Sequence, residues 1–441
     1  MIIKNIVNNE KKKLLDQNLV KTYLEKLYPI CRSITGNGFR ESLKILGQKI
    51  DLTIFKFKSG TRVLDWKIPK EWNIQDGYII GPSGKKIVDF KKHSLHVVNY
   101  SEPIKKKIKL IDLKKRLFFS KELPNAIPYV TSYYKKFWGF CLTYKQYLKL
   151  KKGNYKVHIK SSIKDGYLEY SDTILKGKSK KQILFSAYLC HPQMANHELS
   201  GPLAMMVLYD YLKRTGPHYY SYRFLICPEN IGSAAFLHKN KKDIKKKIIA
   251  GYVLNLLASG KNFTYKKSRL ENSLSDKAVI NILKNSKKKY LINDFIPEGA
   301  DERQFCSTGF NLPIGVISRN DYNNFKEYHT SLDSLDKFDF SIFYESVNFI
   351  LDIVETLEIN KTPKSTVIYG THHLARRKTK LYDHIFFKRK KTNVEKILFE
   401  ILNLSDGTLD FLDMANQKNF LLLDYKELID NIKKEKLIRY L

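Results

Sequence analysis

ILFSAYLCHPQMANHELSG, residues 183–201, decides how this chain is read. It opens as an apolar run, Ile183 to Leu189, with the length and composition of a buried strand. The run stops at Cys190-His191-Pro192, and a short polar loop follows. Leu199-Ser200-Gly201-Pro202 then leads into Leu203 to Leu208, an apolar stretch that predicts a helix over 203–214. One histidine therefore stands where a buried strand ends, and a second, His197, stands ahead of a helix. In open α/β sheets ligands bind at the carboxyl ends of strands.

Working outward, residues 156–358 alternate strand and helix. Strands are expected at Ile183–Leu189, Tyr222–Cys227, Ile249–Leu257 and Pro313–Ser318. Helices are expected at Ser233–Asn240, Ser275–Asn285 and Phe340–Leu357. Alternation of this kind predicts an α/β domain. Residues 11–50 predict two further helices around the turn PICRSITGNGFRES, residues 29–42. Its glycines and its Arg32, Ser33, Thr35 and Arg40 suit either an anion site at a helix start or a plain loop. From Thr53 to about His158 short segments alternate with turn signals, among them Asp76-Gly77 and Ser83-Gly84. With Trp72 and Trp138 this predicts a small β-rich domain set into the first. The expected division is 1–60 and 156–362 for the α/β domain, 61–155 for the insertion, and 370–441 for a C-terminal module. That module reads as three short helices and a strand near Lys436–Leu441, the pattern of a winged helix, after a linker holding Arg376-Arg377-Lys378 and Lys388–Lys391.

The 441 residues are too many for one compact core. No apolar run reaches the length of a membrane span, and the first residues lack the order of a signal peptide. Five scattered cysteines with no CxxC pair point to a reducing compartment, so a cytoplasmic protein is expected. The net charge of +35 suits an anionic partner or a chain enriched in Lys throughout, and the Lys runs are spread over the whole length.

Three polar points interrupt the α/β segment where strands end: His191, Glu229 after Phe224–Pro228, and His329 in EYHTSLD, residues 327–333. Singly, each histidine reads more readily as a structural, hydrogen-bonded residue and the glutamate as a helix cap. Jointly, two His and one Glu are the ligand set of a catalytic zinc (Zn) with one position open for water.

The stretches His191–Gly201 and His329–Asp333 resemble motifs of co-catalytic zinc aminopeptidases. The chain is more similar still to a bacterial family with an aminopeptidase-like domain, a β-rich insertion and a C-terminal winged helix. Pro29–Gly36, Tyr188–Pro192, Pro228–Ser233, Asp301–Cys306, Glu327–Ser331 and Leu404–Gly407 carry that likeness along nearly the whole chain. It implies a zinc-aminopeptidase-like three-layer α/β fold and a metal site, and a link to surface-polysaccharide biosynthesis. Aminopeptidases of this kind place a bridging Asp where His197 stands, a further Asp at the place of Asn255, and their catalytic Glu at Pro228. The resemblance therefore implies one zinc ion, and it moves the general base to Glu198, Asp301 or Glu302. His191, Glu229 and His329 are expected to hold the ion. His197 is either a fourth ligand, which would close the site, or a neighbour of it. Arg303 and Arg32 are candidates to bind a substrate carboxylate or an oxyanion.

The expected function is a zinc-dependent, aminopeptidase-like hydrolase of a small peptide or amide substrate. The alternatives are a binding or scaffold protein that keeps the metal site, and a DNA-binding regulator. Asp406, Asp410, Asp413, Asp424, Glu427 and Asp430 make the winged-helix segment more acidic than the rest of the chain. Acidity of this kind favours a protein partner or a second copy over DNA.

Overall fold

The strands longer than two residues, in chain order, are Ile54–Lys58 (β1), Glu71–Ile80 (β2), Lys86–Asp89 (β3), Ile104–Lys109 (β4), Asn154–Lys164 (β5), Tyr167–Leu175 (β6), Gln182–Tyr188 (β7) and Ser221–Cys227 (β8). Ile248–Leu254 (β9), Phe263–Lys266 (β10), Tyr290–Asn293 (β11), Ile314–Ser318 (β12), Pro363–Ser365 (β13) and Ile438–Tyr440 (β14) follow. The main helices are Gln17–Leu27 (α1), Asn37–Leu46 (α2), Asn196–Thr215 (α3), Ile231–Asn240 (α4), Leu274–Lys284 (α5), Phe340–Ile359 (α6), Asn393–Leu404 (α7), Phe411–Gln417 (α8) and Lys426–Lys434 (α9). These come from a computed structural model that describes residues 17–320, 324–374, 381 and 392–441. The basic residues 376–378 and 388–391, and the chain before Gln17, lie outside the described residues.

β7 is buried at every position, which a continuous apolar sequence allows and parallel pairing on both sides requires. It pairs in parallel with β8 and β9, and β9 pairs in parallel with β12. The whole sheet has eight strands in the order β1-β6-β8-β7-β9-β12-β10-β11, with β1 antiparallel to β6, β6 to β8 and β10 to β12. The chain leaves β7 through α3 to β8 on one side. It then crosses through α4 to β9 on the other side. The reversal falls at the carboxyl end of β7, where the crevice of such a sheet lies. Phe185 at its centre stacks on Tyr222 and Tyr252, with ring centroids 6.3 and 6.0 Å away.

A second sheet, β3-β2-β5-β4, is antiparallel and has its own core around Ile79, Trp138, Phe140, Val157 and Ile159. Ser83-Gly84 makes the expected turn between β2 and β3. Asp76-Gly77 instead lies inside β2, where the register against β5 shifts, so this pair marks a bulge and not a hairpin. Two further expectations shift here. Thr53–Phe57 falls largely in β1, an edge of the eight-stranded sheet, and Trp72 packs in the cluster that holds Leu184 and Leu225.

The chain divides into two compact units, one of residues up to Glu271 with Leu291–Val347, the other of Asn272–Tyr290 with Asn348–Leu441. In the second, β13 pairs antiparallel with β14 beside α7, α8 and α9, the winged-helix arrangement. α5, which chain order placed among the α/β helices, belongs to this unit. Its Asn281 side chain donates to the Phe420 carbonyl at 2.9 Å and accepts from the Leu422 N–H at 3.0 Å. Lys277 pairs with Asp413 at 2.5 Å.

Candidate metal centre

α3 begins at Asn196, ahead of Pro202. The sequence expectation started it at Leu203, where the apolar stretch begins, and a proline inside a helix removes an intrahelical hydrogen bond. The earlier turn forms nonetheless because Asp333 caps it. Its Oδ1 accepts the Asn196 N–H and its Oδ2 the His197 N–H, both at 2.8 Å. A carboxylate there also suits the positive end of the helix dipole. His197 and Glu198 are thereby fixed on the first turn, beside the end of β7. Gly201 lets the helix lie close, since a Cβ there would stand 2.2 Å from the Leu254 carbonyl oxygen.

The three histidines meet. The ring centroids of His191, His197 and His329 are 4.9 Å apart in every pair. One ligand atom from each lies within 4.8 Å of the other two. His191 and His197 are buried, and His329 is partly so. Glu229, expected among the ligands, touches the trio through His191, with its Oε2 3.6 Å from Nε2. Two groups of possible ligands thus share His191: the three imidazoles with the Glu229 carboxylate beside them, and Cys190, His191 and Glu198.

The rings are held in different ways. Glu198 is completely buried, and its two oxygens take the His191 backbone N–H and ring Nδ1, each at 2.7 Å. That leaves His191 Nε2 toward the other rings. His197 Nε2 bonds the Tyr188 hydroxyl at 2.7 Å. His329 has a left-handed backbone, φ 54°, and its ring stacks on Tyr328 at 4.0 Å. Two ring nitrogens, His197 Nδ1 and His329 Nε2, are buried with no hydrogen-bond partner among the described residues. Burial, with the charge of His191, pushes the His329 imidazole down to about 2 and the His197 imidazole well below its usual value. Both are therefore neutral, the state in which an imidazole binds a metal. Burial also raises the Glu229 carboxyl to about 7. His191 opposes this rise, and Asp301, Glu198 and Glu302 add to it.

The remaining expected residues sit as follows. Asp301 Oδ1 accepts the Asn230 N–H at 2.6 Å and the Ser233 hydroxyl at 2.7 Å, bracing the turn after Glu229. Glu302 pairs with Lys266 through Oε1, while its buried Oε2 has no partner among the described residues. Arg303 is partly buried and donates from Nε to Asn230 Oδ1 at 2.7 Å. Asn255 lies buried just past β9. Two expectations are corrected by contacts. Glu198 is occupied with His191 on both oxygens and is not free to act as a base. Arg32 is completely buried behind the site. It donates to the His191 carbonyl at 2.9 Å and the Leu27 carbonyl at 2.6 Å, and lies 3.8 Å from Glu198. A substrate arriving from solvent does not meet it. Ser33 and Thr35 are likewise bonded internally, to Asn99 and Tyr100. The turn therefore braces the site from within.

Tyr188 and Tyr328 flank the histidine motifs in sequence. Tyr129, by contrast, comes from the expected insertion, and nothing in the sequence marks it. Its ring meets His191 at 5.1 Å and His329 at 5.4 Å, edge on, and its hydroxyl bonds that of Tyr133 at 2.8 Å.

Among the described residues no helix is long and apolar enough to cross a membrane. A family model described as a domain of unknown function, DUF4910, matches residues 21–360, and a winged helix-turn-helix model matches 362–440. A Clostridium acetobutylicum protein is 39% identical over 397 residues, 89% of each chain. It carries the provisional name of a polysaccharide biosynthesis protein with an aminopeptidase-like domain. A crystal structure from Clostridium acetobutylicum, provisionally named a peptidase, is 35% identical. Its TM-score is 0.90 over 100% of this chain and 99% of that one. The zinc aminopeptidase of Bacillus subtilis is 11% identical with a TM-score of 0.56, over 77% of this chain and 95% of that one, which is a likeness of fold. The chain thus belongs to the DUF4910 family, an aminopeptidase-like α/β fold joined to a C-terminal winged helix.

Proposed function

We propose that this protein is a zinc-dependent hydrolase of aminopeptidase-like type, acting on a peptide or amide bond. The observation that carries the reading is the trio of imidazoles with two buried, unpartnered ring nitrogens. A buried polar group without a partner costs about 1–3 kcal/mol, a cost that a bound cation removes. His191, His197 and His329 would hold the ion, with Glu229 adjacent. Three protein ligands leave the open position of a catalytic site. One ion is favoured, since neither His197 nor Asn255 brings the negative charge that a second would need. When bound, the ion would polarise the scissile carbonyl and lower the pKa of a water.

The chain's own residues supply the remainder. Glu198 fixes the His191 tautomer from behind. Glu302, the expected carboxylate with an oxygen to spare, is assigned the proton-moving role. Arg303, held beside the Glu229 turn by Asn230, is assigned to a substrate carboxylate or to developing negative charge. The Clostridium relative is named for polysaccharide biosynthesis, which supports a place in such a pathway, and we extend the substrate range to amides carried on sugars in the cytoplasm. The winged helix, more acidic than the rest of the chain, is assigned to a protein contact. A second reading, a binding protein that keeps its metal, is favoured by Pro228 next to Glu229, because proline moves no proton.

The test is metal analysis of the purified protein with a screen of aminoacyl amides, short peptides and N-acyl amino sugars. About one zinc per chain and hydrolysis of one class are expected. Glu302→Gln should keep the ion and lose about 100-fold or more in rate. Failure to retain zinc would overturn the metal centre. Zinc without hydrolysis would establish the second reading. An undiminished rate in Glu302→Gln would return the base role to another group.

A further inference from the structure

We infer that the segment at residues 127–133 of the insertion completes the histidine centre, with Tyr129 as a positioning residue that fixes the His191 and His329 rings. This rests on the metal-site reading above.

Metal-binding imidazoles need their orientation held from outside, commonly by a hydrogen bond to the second ring nitrogen. His191 has Glu198 for this, and His197 has Tyr188. Among the described residues neither ring nitrogen of His329 makes a hydrogen bond. Its ring is held by packing instead, with Tyr328 on its face and Tyr129 at its edge. Tyr328, on the same turn, packs edge-on to His197 at 4.7 Å. Tyr129 adds a hold from a separate part of the chain. Its hydroxyl bonds Tyr133, whose ring lies edge-on to Tyr100 at 5.3 Å. Tyr100 in turn bonds Thr35 at 2.6 Å and the Lys70 carbonyl at 3.0 Å.

The backbone of the same segment grips the His329 turn. Tyr129 N–H donates to the His329 carbonyl at 2.8 Å. Ile127 N–H donates to the Ser331 hydroxyl and Ser331 N–H to the Ile127 carbonyl, both at 2.9 Å. Three such bonds explain how a histidine stays at φ 54°, a conformation that side chains disfavour. The segment's other side reaches the His191 loop. Asn99 donates its N–H to Val130 and accepts from Ser132 N–H, while its amide donates to the Arg32 carbonyl at 3.1 Å. Arg32 then bonds the His191 carbonyl. One short segment is therefore tied to both histidine loops, which are far apart in the chain.

The experiment compares zinc affinity, by chelator competition, in wild type, Tyr129→Ala and Tyr129→Phe, alongside hydrogen exchange of residues 327–333 in the metal-free proteins. Tyr129→Ala should weaken zinc about 10–100-fold, and Tyr129→Phe, which keeps the ring, by about threefold or less. Exchange at the His329 turn should quicken in Tyr129→Ala alone. Should Tyr129→Ala fail to fold, Tyr129→Leu takes its place with the same expectation. Wild-type affinity and exchange in the ring-less variant would overturn the inference. If the wild type itself takes up no zinc, the metal reading falls, and the exchange comparison still decides for or against the clamp.

Discussion

Glu198 carries two obligations at once. It neutralises Arg32 and it holds the His191 ring, all three being at most 2% exposed. Glu198→Gln keeps the shape but leaves the guanidinium uncompensated and offers the ring an amide in place of a carboxylate. Zinc affinity should fall about 10–100-fold, measured by chelator competition, with the secondary structure intact by circular dichroism. Unchanged affinity would remove Glu198 from the centre. The sequence shows this residue beside His197 and attracts a catalytic reading, since the motif specifies spacing but not which oxygens are already taken. His191, His197 and His329 are legible because strand ends gather polar residues. Tyr129 is not, because its value lies entirely in where the insertion folds back.

At the scale of elements, helix boundaries show where local rules yield to tertiary contacts. Pro202 signals a helix start, yet α3 begins six residues earlier because Asp333, far along the chain, satisfies its first amides. Local propensity cannot report a cap that arrives from another loop. The strands β7, β8, β9 and β12 are legible almost to the residue, since burial on both faces demands unbroken apolar runs. β6 and β10 are shorter or more polar and leave no such mark. α5 is recognisable as a helix, and its capping box of Ser273 and Asp276 fits its start, but its partner is not written in its own residues. Asn281→Ala should leave the Phe420 carbonyl and the Leu422 N–H unpaired, at about 1–3 kcal/mol. Chemical denaturation followed by probes in the second unit is the check, and an unshifted midpoint would show that water replaces the amide.

For the molecule as a whole, a costly polar investment of the eight-stranded sheet lies between β8 and β6. Arg223 on β8 forks onto Asp172 on β6, with both contacts at 2.6 Å and each side chain 5% exposed. Asp172→Ala strands a buried guanidinium that keeps only Gln182 and Asn240, and should destabilise the first unit by about 3 kcal/mol. With two units the melt is expected to show two transitions, of which only the first unit's should move. A shift of both would mean that the units unfold together. The net charge of +35 finds no such focus, and its reading as chain-wide Lys enrichment needs no special partner.

The placement of α5 has a consequence during synthesis. Residues 274–284 leave the ribosome long before Phe411–Gln417, the helix they pack against, has been made. Until then α5, whose Ala278, Val279, Ile282 and Leu283 are buried in the finished protein, lacks α8, and the nascent chain carries an incompletely covered flank through the translation of more than one hundred residues. A messenger cut short after residue 362 would make that condition permanent. The winged helix therefore cannot be shed as a removable tail, and truncated chains should be found bound to chaperones or in inclusion bodies, where the full-length chain is not.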